Sequence, residues 1–274
     1  MKKKIVIAHS ADADDAFMFY PLACDIISAN DFIIEHYISD IEDLNQQAFQ
    51  SRFEITAISF NAYSKLTDRY DLLPCGASFG INYGPIIISN EKLSIKSLKE
   101  TKVAVPGINT TAFLLMSHYI NNFSFEIVPF DQIIPSIIEG IYKAGLIIHE
   151  GQLTYKQLKL FKIVDLGNLW FSDTNLPLPL GGLAIKKSID KNDKIKLSNL
   201  IKQSIKYSLD NFEAAFQYAL KYSRNSSPKL IKNFIKMYVN ELSIDYSEIG
   251  RKSLEAFSRK FLLPEDLSKY ILSI

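Results

Sequence analysis

A histidine and a glutamate stand side by side in the segment "GLIIHEG" (145–151), directly after a short apolar run. A neutral imidazole accepts protons near pH 7, so His149 is the strongest candidate for a general base in this chain. Glu150 would assist it only if both side chains faced the same way, and adjacent residues leaving a strand usually point apart. The alternative is a loop histidine without a chemical role.

Polar residues also follow the other predicted strands, at the point where each strand ends. In open α/β sheets, ligands bind beyond the carboxyl ends of the strands, so we expect these residues to share one binding edge. They are His9, Ser10, Asp12, Asp14 and Asp15 after the first strand, Ser59 and Asn61 after the third, Asn109, Thr110 and Thr111 after "VAV" and the turn residues Pro106 and Gly107, and His149 and Glu150 after "GLII".

The segment "PGINTT" (106–111) predicts a turn that enters a helix. Thr110 or Thr111 would cap that helix, and the amide groups at its start could hold a carboxylate or a phosphate. The alternative is an ordinary helix cap with no ligand. The segment is not a P-loop, because no Gly-Lys-Ser/Thr sequence follows it.

The acidic segment "HSADADD" (9–15) favours a helix start over a metal site. Carboxylates stabilise the amino end of a helix, and the glycine and distal glutamate of an EF-hand loop are missing. Cys24 and Cys75 lack a CxxC spacing, which predicts a reducing compartment and no zinc site. A disulfide between them stays possible on the sequence alone.

The composition predicts a folded globular protein. The 274 residues are 47% hydrophobic, and 31 basic against 30 acidic side chains leave a net charge of +1, which gives no reason to expect nucleic acid or a membrane surface as partner. The first apolar run, "IVIA", is too short for a secretion signal, and no run reaches a membrane span. We therefore expect a cytoplasmic protein.

The order of patterns predicts an α/β fold with largely parallel strands and two lobes. Two apolar strands, "GPIIISN" and "GGLAIKK", flank an inserted α/β block, and long amphipathic helices follow the second of them. This arrangement predicts a hinge and a ligand-binding cleft. The predicted ranges are 1–88 for the first part of lobe I, 89–181 for lobe II, and 182–274 for the return to lobe I.

Seven segments, in this order, resemble the 1,4-dihydroxy-6-naphthoate synthase family of the futalosine route to menaquinone. The resemblance covers about the first two thirds of the chain, and "AGLIIHEGQLTY" with "LPLPLGG" downstream is its most specific part. The matching segments are "DDAFMFYPLA", "ITAISFNAYSKLTDRYDLLPCGASFG", "YGPIIIS", "VAVPGINTTAFLL", "VPFDQIIPSIIEG", "AGLIIHEGQLTY" and "LPLPLGGLAI".

The resemblance implies a fold like that of type 2 periplasmic binding proteins. It also implies a lyase that cleaves cyclic dehypoxanthinyl futalosine into 1,4-dihydroxy-6-naphthoate and a three-carbon sugar fragment, without a metal or an organic cofactor. The histidine of the family's "IIHE" segment is its general base, and it matches His149. The implied substrate contacts are Ala57, Ile58, Ser59, Thr110 and Thr111, and we add Asn109, Ser10 and Asp15 to the predicted binding set.

The first loop departs from the family pattern, which reads Ser-Pro-Cys-Pro-Asn-Asp-Thr-Phe. This chain has "SADADDAF" (10–17), which keeps Ser10, Asp15 and Phe17 and places Asp14 where the family has asparagine. Loss of both prolines makes the unbound loop less rigid, and the added carboxylates would repel a carboxylated substrate if they faced it.

Two other functions fit the same pattern. One is a chorismate dehydratase-like enzyme of the same pathway, which shares the fold and a carboxylated cyclic substrate. The other is a small-molecule-binding protein without catalysis. "IIHEG" and "NTT" favour the naphthoate synthase over both.

Overall fold

The computed structural model describes residues 2–223 and 227–273. The chain divides into two compact units, each with its own β-sheet. The first unit comprises Met1–Phe79 and Pro179–Ile274, and the second unit comprises Gly80–Leu178.

The strands of both units are named here in chain order. They are β1 (Lys3–Ser10), β2 (Phe32–Ser39), β3 (Ile55–Ser59), β4 (Tyr70–Leu72), β5 (Ser78–Gly80), β6 (Ile86–Ser89), β7 (Lys102–Val105), β8 (Ser124–Ile127), β9 (Ala144–Ile147), β10 (Phe161–Asp165) and β11 (Leu178–Lys186).

The α-helices are named in the same way. They are α1 (Ala13–Ala23), α2 (Ile41–Phe49), α3 (Phe60–Tyr63), α4 (Thr111–Tyr119), α5 (Ile133–Ile138), α6 (Gly151–Thr154), α7 (Leu166–Thr174), α8 (Lys191–Asp210), α9 (Phe212–Ala219), α10 (Pro228–Tyr238), α11 (Glu241–Ile244) and α12 (Ser247–Lys260).

The sheet of the first unit has the strand order β2-β1-β3-β11-β4, with β5 paired to β11. The strands β1, β2 and β3 are parallel, as predicted, whereas the returning strand β11 runs antiparallel to β3 and β4. The helices α1, α8, α9 and α10 pack with this sheet around one apolar core. The carboxyl ends of β1, β2 and β3 therefore meet at one sheet edge.

The sheet of the second unit has the strand order β10-β6-β9-β7-β8. The strand β7 is parallel to β8 and β9, and β6 is antiparallel to β9 and β10. Because the whole of β6 (Ile86–Ser89) pairs inside this sheet, the chain enters the second unit earlier than the boundary at 88/89 that the sequence pattern suggests.

Capping side chains and proline positions account for the ends of several helices. The side chain of Asp40 accepts hydrogen bonds from the amides of Glu42 and Asp43, which caps α2 and accounts for its acidic first turn. The predicted helix after β1 ends at Ala23 and tolerates Pro21 in its last turn. Pro228 occupies the first turn of α10, where its missing N–H costs nothing.

The structure answers whether the two cysteines are bonded and whether any described helix could span a membrane. Cys24 is exposed and Cys75 is buried, and neither forms a disulfide. Within residues 2–223 and 227–273, every helix is too short or too polar to cross a membrane.

Gly145 shows how tightly the second sheet packs on α5. A Cβ atom at this position would lie 2.4 Å from Ile133 Cγ2 and 2.9 Å from Ile137 Cδ1. We expect Gly145→Ala to lower the free energy of unfolding by about 1–3 kcal/mol, because the methyl group forces these side chains apart. Urea unfolding measures the change.

The control for this variant is Ile138→Ala, since Ile138 lies on the same helix and is 55% exposed. Its unfolding free energy should stay within about 0.5 kcal/mol of the wild-type value. An unchanged unfolding midpoint for Gly145→Ala would contradict the packing described here.

Candidate active site

Parallel pairing brings the predicted site residues of the second unit to one sheet edge. Val105 at the end of β7 lies opposite Ile127 at the end of β8, and β9 runs parallel to β7 on its other side. The segments that follow these three strands therefore leave the sheet side by side. They carry Asn109, Thr110 and Thr111 after β7, Phe130 after β8, and His149 after β9.

Thr110 caps α4, as the sequence predicts. Its hydroxyl accepts a hydrogen bond from the Phe113 amide at 3.1 Å and donates one to the Gly107 carbonyl at 2.8 Å. The hydroxyl is thus already used by the fold. An anion at this point would therefore be bound mainly by the amide groups and the dipole of the helix start. Anion binding here stays a prediction.

His149 is held by two main-chain groups of its own unit. The Gly151 amide donates to Nδ1 at 3.0 Å, and Nε2 lies 3.3 Å from the Phe130 carbonyl oxygen. Because an N–H group can donate only to an unprotonated nitrogen, the lone pair of the neutral ring lies on Nδ1 and the proton on Nε2. The residue is only 7% exposed, so these contacts fix the ring firmly.

Glu150 faces the same imidazole, although adjacent residues leaving a strand usually diverge. Its Oε2 atom lies 3.7 Å from His149 Nδ1, and both side chains are buried. The reason is local backbone geometry. The strand β9 ends at Ile147, and Glu150 already has helical torsions of φ −54° and ψ −15°, so the alternation of a strand no longer applies.

The ring of His149 occupies the space that a side chain at position 151 would need. A Cβ atom on Gly151 would lie 2.7 Å from His149 Cε1 and 2.6 Å from Ile134 Cδ1. Glycine is therefore required here for packing against the imidazole, in addition to the hydrogen bond from its amide.

The predicted residues of the first unit include the last three positions of β3. Asn45 on α2 donates through Nδ2 to Ser59 Oγ at 3.1 Å and accepts from the Ser59 amide at 3.0 Å. The Ser59 hydroxyl is thereby oriented with its own hydrogen directed elsewhere. Ile58 is fully buried and Ala57 nearly so, which leaves mainly their backbone atoms for contact with a ligand.

Asn45 is a positioning residue that sequence reasoning missed. It is fully buried, on the same face of α2 as Ile41, Leu44 and Ala48. The sequence does contain a signal for this role, since Asn45 is a polar residue within the apolar stripe of an amphipathic helix. A buried amide must have hydrogen-bond partners, so such a residue is expected to hold another polar group. The identity of its partner depends on tertiary packing.

The first loop closes on itself through Ser10 and Asp15. The Ser10 amide donates to Asp15 Oδ2 at 2.7 Å, and the Asp12 amide donates to Ser10 Oγ at 3.1 Å. Burial raises the pKa of Asp15 to about 6, against the lowering effect of its hydrogen bonds from Ser10. Burial, with the charges of Asp15 and Asp12, raises the pKa of Asp14 well above its usual range.

A hydrogen-bonded pair of neutral histidines, His9 and His36, contacts this loop at the Ser10 carbonyl. His9 Nδ1 donates to the Ser10 carbonyl at 2.9 Å, so His9 Nε2 accepts at 3.0 Å from Nδ1 of His36. The His9 ring also stacks on Phe19 with centroids 4.6 Å apart. Burial, together with the neighbouring His36, lowers the pKa of His9 to about 3, and burial also lowers the pKa of His36.

No metal site accompanies the histidines and carboxylates in the described part of the chain. His118 lies exposed on α4 with its ring edge-on to Tyr119. Within residues 2–223 and 227–273, no three histidine, cysteine or carboxylate side chains are grouped so that they could hold a metal ion.

Most of the chain matches a known family. A sequence profile described as menaquinone biosynthesis matches residues 5–261. The chain belongs to this family. Among curated relatives, the 1,4-dihydroxy-6-naphthoate synthase of Thermus thermophilus is 34% identical over 241 residues, 88% of each chain. The enzyme of the same name from Streptomyces coelicolor is 29% identical over 250 residues, 89% of this chain and 88% of its own.

Solved structures confirm the predicted fold for this menaquinone biosynthesis protein. Protein AF1704 from Archaeoglobus fulgidus is 38% identical and superposes with a TM-score of 0.89 over 97% of both chains. The Candida albicans CA3427 gene product, described as having the generic periplasmic binding protein fold, has a TM-score of 0.70 at 14% identity, covering 99% and 98% of the chains. The alkanesulfonate-binding protein SsuA from Xanthomonas axonopodis has a TM-score of 0.72 at 9% identity, covering 98% of both.

Substitution of Gly151 tests the packing around His149. In Gly151→Ala, the new methyl group would collide with the imidazole and with Ile134. We expect a loss of about 1–3 kcal/mol in unfolding free energy and a displaced ring. Chemical denaturation and the His149 ring resonances in NMR spectra measure the two effects. Unchanged ring resonances would contradict the close contact.

The raised pKa of Asp15 predicts a pH dependence of stability. The folded state holds this proton more tightly than the unfolded state, whose pKa is 3.8, so the contribution is present below pH 4 and is lost as pH rises to about 6. Asp15→Asn keeps an acceptor for the Ser10 amide and removes the ionisation. We therefore expect the variant to gain stability relative to wild type between pH 4 and 6, by at most about 3 kcal/mol.

Melting temperatures measured across this pH range test the effect. Asp68→Asn is the control, because the Asp68 side chain is 73% exposed in the same unit. A constant difference between Asp15→Asn and wild type at all pH values would show that Asp15 does not titrate in this window.

Proposed function

We propose that this protein is a carbon–carbon lyase that converts cyclic dehypoxanthinyl futalosine into 1,4-dihydroxy-6-naphthoate, with His149 as general base. The principal support is the identity of 34% over 88% of the chain with an enzyme named for that product. The structure adds a buried imidazole in its neutral tautomer at the carboxyl edge of the second sheet, beside the start of α4.

The proposed reaction starts with the carboxylate of the substrate at the start of α4, near Thr110 and Thr111. His149 then takes a proton from a substrate hydroxyl, and electrons from that oxygen form a carbonyl as the adjacent carbon–carbon bond breaks in a retro-aldol-like step. The electron pair of that bond passes to the ring fragment, which is then protonated. Aromatisation of the product supplies the driving force. Since these steps need proton transfer and no change of oxidation state at the protein, we assign no metal or organic cofactor to them.

The other predicted contacts have roles that follow from their surroundings. Ser59, oriented by Asn45, would donate a hydrogen bond to a substrate oxygen, while Ala57 and Ile58 would offer main-chain groups. We also assign substrate contacts to Asn109, Ser10 and Asp15. With Asp15 protonated in part near pH 6, the first loop repels a carboxylated substrate less than its three aspartates suggest.

Replacement of His149 tests the proposal. His149→Ala should retain the fold and lower kcat by roughly 10²–10⁴-fold, because the proton acceptor is removed. Turnover is followed with purified protein and cyclic dehypoxanthinyl futalosine, by product mass and naphthoate absorbance. The matched control is His118→Ala, since His118 is an exposed histidine of the same unit and should be dispensable.

The same assay separates the alternatives. Wild-type turnover that persists in His149→Ala would remove His149 from the mechanism. If wild type returns the substrate unchanged, chorismate is the next substrate, and consumption of chorismate would identify a dehydratase. Binding of either compound without any product would identify a non-catalytic binding protein.

A further inference from the structure

The hydrogen bonds of His149 in this structure conflict with its proposed role as a general base. The only lone pair of the neutral ring lies on Nδ1, and the Gly151 amide already donates to it. The other nitrogen carries the proton and faces the Phe130 carbonyl. A base needs a lone pair that substrate can reach, so one of these contacts must change before a proton is accepted.

Glu150 offers the alternative partner that such a change requires. Its Oε2 atom lies 3.7 Å from Nδ1, and the two side chains are 4% and 9% exposed. This separation is too long for a hydrogen bond, but a movement of about 1 Å would bring the carboxylate to bonding distance of an Nδ1–H group. The contact at Nε2 is also long, at 3.3 Å, and is therefore the weaker of the two main-chain bonds.

We infer that Glu150 is a positioning residue that stabilises the other tautomer of His149, with the proton on Nδ1 and the lone pair on Nε2. This inference rests on the proposed function. In this state Nδ1–H donates to the Glu150 carboxylate, the Gly151 amide is released, and Nε2 turns from the Phe130 carbonyl to the substrate hydroxyl. The arrangement has the same logic as a carboxylate that orients a catalytic histidine in a hydrolase triad.

The proton balance of the step is simple. The substrate O–H bond breaks and its proton joins Nε2, which leaves an imidazolium with protons on both nitrogens. The electron pair of the O–H bond stays on oxygen and forms the carbonyl of one cleavage product. The electron pair of the broken carbon–carbon bond passes to the ring fragment as an enolate, which takes the proton back from Nε2 and restores the neutral imidazole. Glu150 remains a carboxylate throughout, and its negative charge stabilises the imidazolium.

Glu150→Gln tests the inference because it keeps the shape of the side chain and removes its charge. Its amide group can donate to Nδ1, which favours the unreactive tautomer. We expect kcat to fall by roughly 10–10³-fold with KM changed less than about threefold, since the substrate contacts stay intact. Asp165→Asn is the matched control, because Asp165 is a partly buried carboxylate that caps α7 in the same unit. Its kcat should equal that of wild type.

A second comparison distinguishes positioning from a structural role. In the His149→Ala background, Glu150→Gln should change kcat by less than about twofold, because Glu150 acts only through the imidazole. Equal losses of kcat with and without His149 would overturn the inference, and so would full activity of Glu150→Gln.

A measurement without substrate keeps this test independent of the proposed function. The imidazole nitrogen shifts of His149 in ¹⁵N-labelled protein, assigned by comparison with His149→Ala, report which nitrogen carries the proton. We expect wild type to hold the proton mainly on Nε2 with a measurable share on Nδ1, and Glu150→Gln to hold it on Nε2 alone. The same distribution in both proteins would overturn the role of Glu150, even if the lyase activity is found. A shift in distribution without any turnover would support the role and refute the lyase.

Discussion

Parallel pairing of β7 with β8 and β9 is the constraint on which the candidate site depends. It brings three strand ends to one edge and obliges the chain to leave the sheet there, so polar groups collect where backbone amides are also available. The antiparallel strand β6 pairs on the far side of β9 and contributes an apolar, fully buried segment instead. The topology therefore brings the candidate site residues of the second unit to one edge of its sheet.

Main-chain groups determine the state of His149, the proposed base. The orientation and tautomer of His149 follow from the Gly151 amide and the Phe130 carbonyl, and the absent side chain at position 151 leaves room for the ring. In the first unit a single side chain has a similar effect, since the Asn45 amide forms hydrogen bonds with both the backbone N–H and the hydroxyl of Ser59. In both units a side chain of the candidate site is held in place by hydrogen bonds from a neighbouring residue.

The sequence predicts features that depend on local pattern and misses those that depend on torsion angles or distant contacts. The strands, the cap at Thr110 and the location of His149 after β9 follow from hydrophobic runs and from helix chemistry. The orientation of Glu150 does not, because it depends on where the strand geometry stops. The partnership of Asn45 with Ser59 needs the packing of α2 on β3, which no local pattern encodes.

In the first loop the group that ionises near pH 6 is a carboxyl group and not an imidazole. Its two supporting histidines have lowered pKa values and stay uncharged, whereas Asp15 has a pKa of about 6. An ionisation near pH 6 in a rate or binding profile is ordinarily assigned to an imidazole. In this protein a carboxyl group produces the same signature, so acidification removes a negative charge from the loop where a histidine would add a positive charge. A kinetic pH profile can be assigned to His149 only after the contribution of Asp15 has been removed.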